Sequence, residues 1–78
     1  MTIRPDRHDI LAQLLRDLRI KANLTQTEVA ASLDKPQSYV SKYESNERRL
    51  DLVELADLCP ILGLALPELA ILFVERSQ

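Results

Sequence analysis

Apolar residues recur along the chain at helical spacing, in runs separated by short polar breaks, and the pattern predicts five helices. In the first, Leu11, Leu14 or Leu15, Leu18 and Ala22 form one stripe, with Asp6 or Asp9 as its cap and Met1–Pro5 ahead of it as a loose tail. The second opens at Thr25, with Glu28 three residues on to complete a capping box. It turns Val29, Ala30 and Leu33 inward, and the small Ala30 and Ala31 allow close approach to the third. That third helix begins at Pro36 and buries Val40 and Tyr43. Asp51 and Glu54 cap a fourth, apolar on most sides from Leu52 to Leu62, where Pro60 predicts a kink near Ala56 or an early end. Gly63 closes it, and a last helix over residues 64–75 is opened by Pro67 with Glu68 in its first turn.

The third helix has a second face. Advancing about 100° per residue from Gln37 places Gln37, Ser41, Ser45, Ser38 and Lys42 within an arc of about 140°. Each is a hydrogen-bond donor, none is bulky, and the one charge is positive. Such a surface fits the major groove of duplex DNA, which admits one α-helix and shows a distinct donor and acceptor pattern for each base pair. Gln37 can pair bidentately with adenine, and Lys42 can reach guanine or a phosphate.

Composition narrows the picture without redirecting it. Seventy-eight residues with 46% apolar content are expected to form one domain held by packing, since one cysteine excludes an internal disulfide. Cys59 reads as a small core residue and His8 as a solvent-facing one. No metal-ligand spacing, Gly-rich phosphate loop or paired nucleophile and base is present, so neither an enzyme nor a cofactor, metal or small-molecule ligand is expected. Met1 is followed by no apolar leader and the apolar run Leu69–Val74 is too short to span a bilayer, which predicts a cytoplasmic protein without a membrane partner. The net charge of −2 is unusual for a DNA-binding domain. Its distribution matters more: residues 1–22 carry five basic and three acidic side chains, residues 23–50 four and four, and residues 51–78 one and five. The acidic end is also the apolar end.

From about Leu15 to about Leu69 the chain resembles the Cro and phage-repressor (XRE) family of helix-turn-helix proteins. The likeness is carried by Leu24-Thr25-Gln26 at the opening of the second helix, by Pro36-Gln37-Ser38-Tyr39-Val40-Ser41-Lys42-Tyr43-Glu44, and by the loop Asn46-Glu47-Arg48-Arg49-Leu50. It implies an all-α, five-helix, lambda-repressor-like fold in which Gln37, Ser38, Ser41 and Lys42 face bases. Thr25, Gln26, Thr27, Lys35, Tyr39, Asn46, Arg48 and Arg49 would then lie along the DNA backbone. The resemblance also pairs Arg19 with Glu44, tying the third helix to the first, and lets Gln26 brace Gln37. Where the family usually has glycine after its first three helices, this chain has Asn23, Asp34 and Asn46; these are the non-glycine residues that best tolerate a left-handed backbone.

The last helix carries more apolar residues than one small domain can bury, and Leu66, Leu69, Ala70, Ile71, Leu72, Phe73 and Val74 are the expected homodimer interface. The function expected is a bacterial or phage-encoded transcriptional regulator binding a palindromic operator in double-stranded DNA. The alternative is an antitoxin- or antirepressor-like interaction module that acts through a further protein partner.

Overall fold

The computed structural model describes residues 6–78, so the expected tail Met1–Pro5 lies outside the described residues. Among these the chain is all-α: α1 (Arg7–Lys21), α2 (Gln26–Ser32), α3 (Gln37–Glu44), α4 (Leu52–Leu62) and α5 (Leu66–Arg76). Helix starts follow the unpaired amides of a first turn. At α1 the Asp6 carboxylate accepts the His8 backbone N–H at 3.0 Å. Full capping boxes open α2, through Thr25 and Glu28, and α4, through Asp51 and Glu54. The start of α5 has half a box, in which Ala65 N–H donates to Glu68 at 3.0 Å. Pro36 precedes α3 and supplies no side-chain cap.

Four helix ends close alike. Asn23, Asp34, Asn46 and Gly63 have φ of 60°, 57°, 64° and 84°. After each, the next backbone N–H reaches the carbonyl five residues back: Leu24 to Arg19, Lys35 to Ala30, Glu47 to Lys42 and Leu64 to Cys59, at 3.2, 2.9, 2.9 and 3.1 Å. This is the Schellman closure, which needs one left-handed residue. Three of the four are Asn or Asp, whose short polar side chains bear that conformation at small cost.

The core gathers Leu14 and Leu15 of α1, Val29 and Ala30 of α2, Val40 and Tyr43 of α3, Leu58, Cys59 and Leu62 of α4, and Leu69 of α5. Every helix thus contributes to one cluster, and α3 is pinned between α1 and α2. Burial drives Cys59 and Tyr43 away from ionisation, raising both pKa values, as desolvation of a charged form requires.

Several expectations need correction. Ala22 is exposed and caps the end of α1, while Ala12 is buried in its place. Ala31 is exposed too, and of the two alanines only Ala30 is buried in the core. Pro60 does not end α4, which runs on to Leu62. Pro60 and Ala56, whose carbonyl loses its helical partner, are both exposed, so solvent can satisfy that group. Leu52 and Val53 are 68% and 70% exposed, so the start of α4 is open rather than buried. The last helix begins at Leu66, not 64, and extends to Arg76. Among the described residues no single helix is long and apolar enough to cross a membrane; α4 and α5 reach that length only together, across a 100° bend.

Candidate nucleic-acid interface

The site is built outward from one buried carboxylate. Glu44, at the end of α3, receives Arg19 Nε at 2.7 Å and Arg19 Nη2 at 3.0 Å, a bidentate fork whose side chains are 4% and 12% exposed. Arg19 Nη1 also donates to the Leu24 carbonyl at 2.9 Å, so one guanidinium joins α1, the α1–α2 turn and α3. The hydrogen bonds to Glu44 push the Arg19 pKa further up. The pair fixes geometry more than it adds net stability.

From Glu44 the polarity of the next two bonds follows. A carboxylate only accepts, so Gln26 turns its amide nitrogen to Glu44 Oε1, at 3.0 Å. That leaves Gln26 Oε1 to accept from Gln37 Nε2 at 2.7 Å. Gln37 therefore presents its carbonyl oxygen and its second N–H away from the relay. Those are the acceptor and donor that adenine N6 and N7 call for.

Gln37, Ser38 and Lys42 are exposed and Ser41 is half-buried; Val40 and Tyr43, on the opposite side of α3, are fully buried. Lys42 has no carboxylate within ion-pair distance among the described residues. Thr25 and Thr27 are exposed at the start of α2. Lys35 lies over the Tyr39 ring, 5.5 Å from its centroid.

Four of the residues expected along the DNA backbone, Tyr39, Asn46, Arg48 and Arg49, have carboxylate partners already. Tyr39 packs edge-on against Tyr43, at 5.8 Å and 82°, and its hydroxyl donates to Glu54 Oε2 at 2.8 Å. Arg48 lies over the same ring, 4.7 Å from its centroid, and donates to the same oxygen at 2.8 Å. Asn46 Nδ2 donates to Asp9 at 2.7 Å and to Asp6 at 3.3 Å. Arg49 Nη2 lies 3.6 Å from Asp6. The backbone N–H of Asp51, then the Tyr39 hydroxyl and Arg48, hold the Glu54 carboxyl at a pKa of about 2. Asp6 is also lowered, mainly by the His8 backbone N–H.

Arg16 and Gln13 escape a reading of α1 by its apolar stripe. Both line one shallow depression with Gln26, Ser41, Glu44 and Ser45, which sets an exposed guanidinium beside the polar side of α3. The available signal was spacing: Arg16 stands one helical turn before Arg19 and so shares its side of α1. On α5, Leu69 belongs to the core rather than to a partner-facing surface. Leu66, Leu72 and Phe73 are half-buried, with Arg7 stacked 5.2 Å from the Phe73 ring centroid. Ala70, Ile71 and Val74 face solvent, the last two at 58% and 51% exposure.

Two short helices joined by a left-handed turn, with the second pinned so that its polar side faces out, define a helix-turn-helix protein. A helix-turn-helix family model matches residues 15–69. The chain belongs to the XRE family of helix-turn-helix DNA-binding regulators. It is similar to an XRE-family like protein from Pseudomonas syringae pv. tomato, with 40% identity over 92% of this chain and 88% of that one and a TM-score of 0.83. The clp gene regulator ClgR of C. glutamicum shares the fold at 22% identity, with a TM-score of 0.85 and 100% of both chains covered. So does the restriction-modification controller protein C.Esp1396I, solved as a tetramer in complex with its natural 35 base-pair operator. There the identity is 16%, the TM-score 0.83, and the coverage 95% of this chain and 97% of that one. No curated protein sequence matches the chain.

Proposed function

We propose that this protein binds duplex DNA sequence-specifically as a homodimer and regulates transcription from a palindromic operator. The observation that carries the reading is Gln37, exposed at the start of α3 and oriented by the Glu44–Gln26 relay. Gln37, Ser38, Ser41 and Lys42 face base edges; Thr25, Gln26, Thr27, Lys35, Tyr39, Asn46, Arg48 and Arg49 follow the backbone, joined by Arg16. The exposed Ala70, Ile71 and Val74, with the half-buried Leu66, Leu72 and Phe73, form the two-fold contact. Residues 6–78 act as one unit, and the setting is the cytoplasm of a bacterium. A C2 dimer sets its half-sites about 34–36 Å apart or a multiple of that. That C.Esp1396I, a protein of the same fold, was solved in complex with its operator supports the reading of DNA binding.

The experiment compares Gln37→Ala with Arg49→Ala in fluorescence-anisotropy titrations on several duplexes over a range of salt. Gln37→Ala relaxes preference at one base pair by about 1–3 kcal/mol. Arg49→Ala weakens all sequences alike and flattens the salt dependence by about 0.9 per lost phosphate contact. Equal and uniform losses in both variants overturn the assignment of roles. A second reading, an interaction module that no longer touches DNA, draws on the exposed Leu52 and Val53 and the acidic half of the chain. Stable co-purification with another protein, and no shift of any duplex, would select it.

A further inference from the structure

Of the side chains that would meet phosphate, Tyr39 and those of the 46–49 loop, Asn46, Arg48 and Arg49, are tied to carboxylates. Lys35 and Arg16 and the residues that would meet bases are not. Tyr39 has a single O–H donor, and Glu54 accepts it. Asn46 has two N–H donors on its amide, directed to Asp9 and to Asp6. Neither residue can donate to a phosphate oxygen without leaving a carboxylate. Arg48 gives one arm to Glu54, and Arg49 sits in the field of Asp6. Gln37 and Lys42, by contrast, touch no carboxylate among the described residues.

We infer that Asp6, Asp9 and Glu54 act as this protein's own competitors for the DNA backbone. They hold the Tyr39 hydroxyl and the Asn46 amide, take one N–H of Arg48 and pair electrostatically with Arg49, and duplex must displace or outcompete them to be gripped there. This rests on the DNA-binding reading above and adds a regulating device to it. Exposed ion pairs are worth little in water, so a phosphate can displace them. Each one still cancels a cation that would otherwise release a counterion from DNA, the event that drives sequence-independent binding. Grip on random DNA is thereby held down, while the base-reading face of α3 stays unencumbered. The two anionic arms flank the 46–50 loop from opposite sides in sequence, one from the start of α1 and one from the first turn of α4.

The test uses amide variants that keep both helix starts. Glu54→Gln preserves the capping box, and Asp6→Asn preserves the cap, because Gln and Asn serve at those positions. The double variant Asp6→Asn/Asp9→Asn frees the other side of the loop. Glu47→Gln, in the same loop and exposed, removes one negative charge without releasing a donor. Each is titrated against a random-sequence duplex between about 50 and 200 mM salt, after melting curves establish which variants fold. Glu54→Gln and the double variant should bind up to about eightfold tighter per recovered contact near 0.1 M salt, with log–log slopes steeper by about 0.9. Glu47→Gln should change the slope little. If one variant fails to fold, the other carries the same expectation.

Unchanged or weaker binding in the folded variants overturns the inference, because the carboxylates then orient the donors instead of competing. A gain matched by Glu47→Gln, with no change of slope, overturns it as well and reduces the effect to net charge. In both cases wild-type binding leaves the proposed function standing. If wild type and every variant fail to bind any duplex, the DNA-binding reading itself falls.

Discussion

Helices α3 and α5 meet the same core and differ in what they leave outside it. Val40 and Tyr43 anchor α3, and its other side shows Gln37, Ser38 and Lys42 to solvent. Leu69 anchors α5, and its other side shows Ala70, Ile71 and Val74. Polar side chains, Gln37 among them held by a relay of hydrogen bonds, suit a ligand whose edges are donors and acceptors. Apolar side chains at 58% and 51% exposure gain by leaving water, which suits another protein surface. In the proposed function these two helices divide reading from assembly, and the acidic charge of the chain collects in residues 51–78, which include α5.

The contrast can be broken at either end. The largest expected effect is at the anchor of α3: Arg19→Ala leaves Glu44 buried without its cation. It should cost about 3 kcal/mol in urea denaturation and abolish DNA binding, since Gln26 loses the oriented carboxylate on which it rests. Next, Ile71→Asp/Val74→Asp should leave helicity by circular dichroism intact but yield monomers in sedimentation. Operator affinity should then fall about 100-fold, because two linked half-sites bind with an effective concentration that one lacks. A variant that stays dimeric would move the interface away from α5.

Smaller effects sharpen the α3 side. Glu54 has its pKa held at about 2, below its ordinary 4.5. Its contribution to stability is therefore full above about pH 4.5 and is lost as the pH falls towards 2. The stability gap between wild type and Glu54→Gln should be constant from neutrality to about pH 5 and close below that in acid melts. Tyr43→Phe is the smallest change. The buried hydroxyl has no hydrogen-bond partner among the described residues, so its removal should stabilise by less than about 1 kcal/mol.

What could be read from the sequence was local. Thr25 with Glu28 and Asp51 with Glu54 announce their helices three residues ahead, and both boxes form. Asn23, Asp34 and Asn46 mark turns because few other residues accept positive φ, and all three adopt it. The Arg19–Glu44 and Gln26–Gln37 pairs came from family resemblance, since nothing in the spacing of residues 25 or 11 apart points to them. What stayed hidden was tertiary. Whether Ala12 or Ala22 is buried depends on where α1 ends relative to its neighbours, and Leu52 and Val53 are apolar yet uncovered. The carboxylate ties are of the same kind: Asp6 and Asp9 lie about 40 residues from Asn46 and Arg49, and only the packing of α1 against the end of α3 brings them together.

The central claim is that the polar side of α3 reads bases through Gln37. Selection of bound sites from a random duplex pool, run in parallel for wild type and Gln37→Ala, tests it most directly. Wild type should enrich a palindrome whose half-sites follow the two-fold spacing, and Gln37→Ala should enrich the same palindrome with one symmetric pair of positions relaxed. Identical preferences for both proteins, or no enrichment from either, would contradict it.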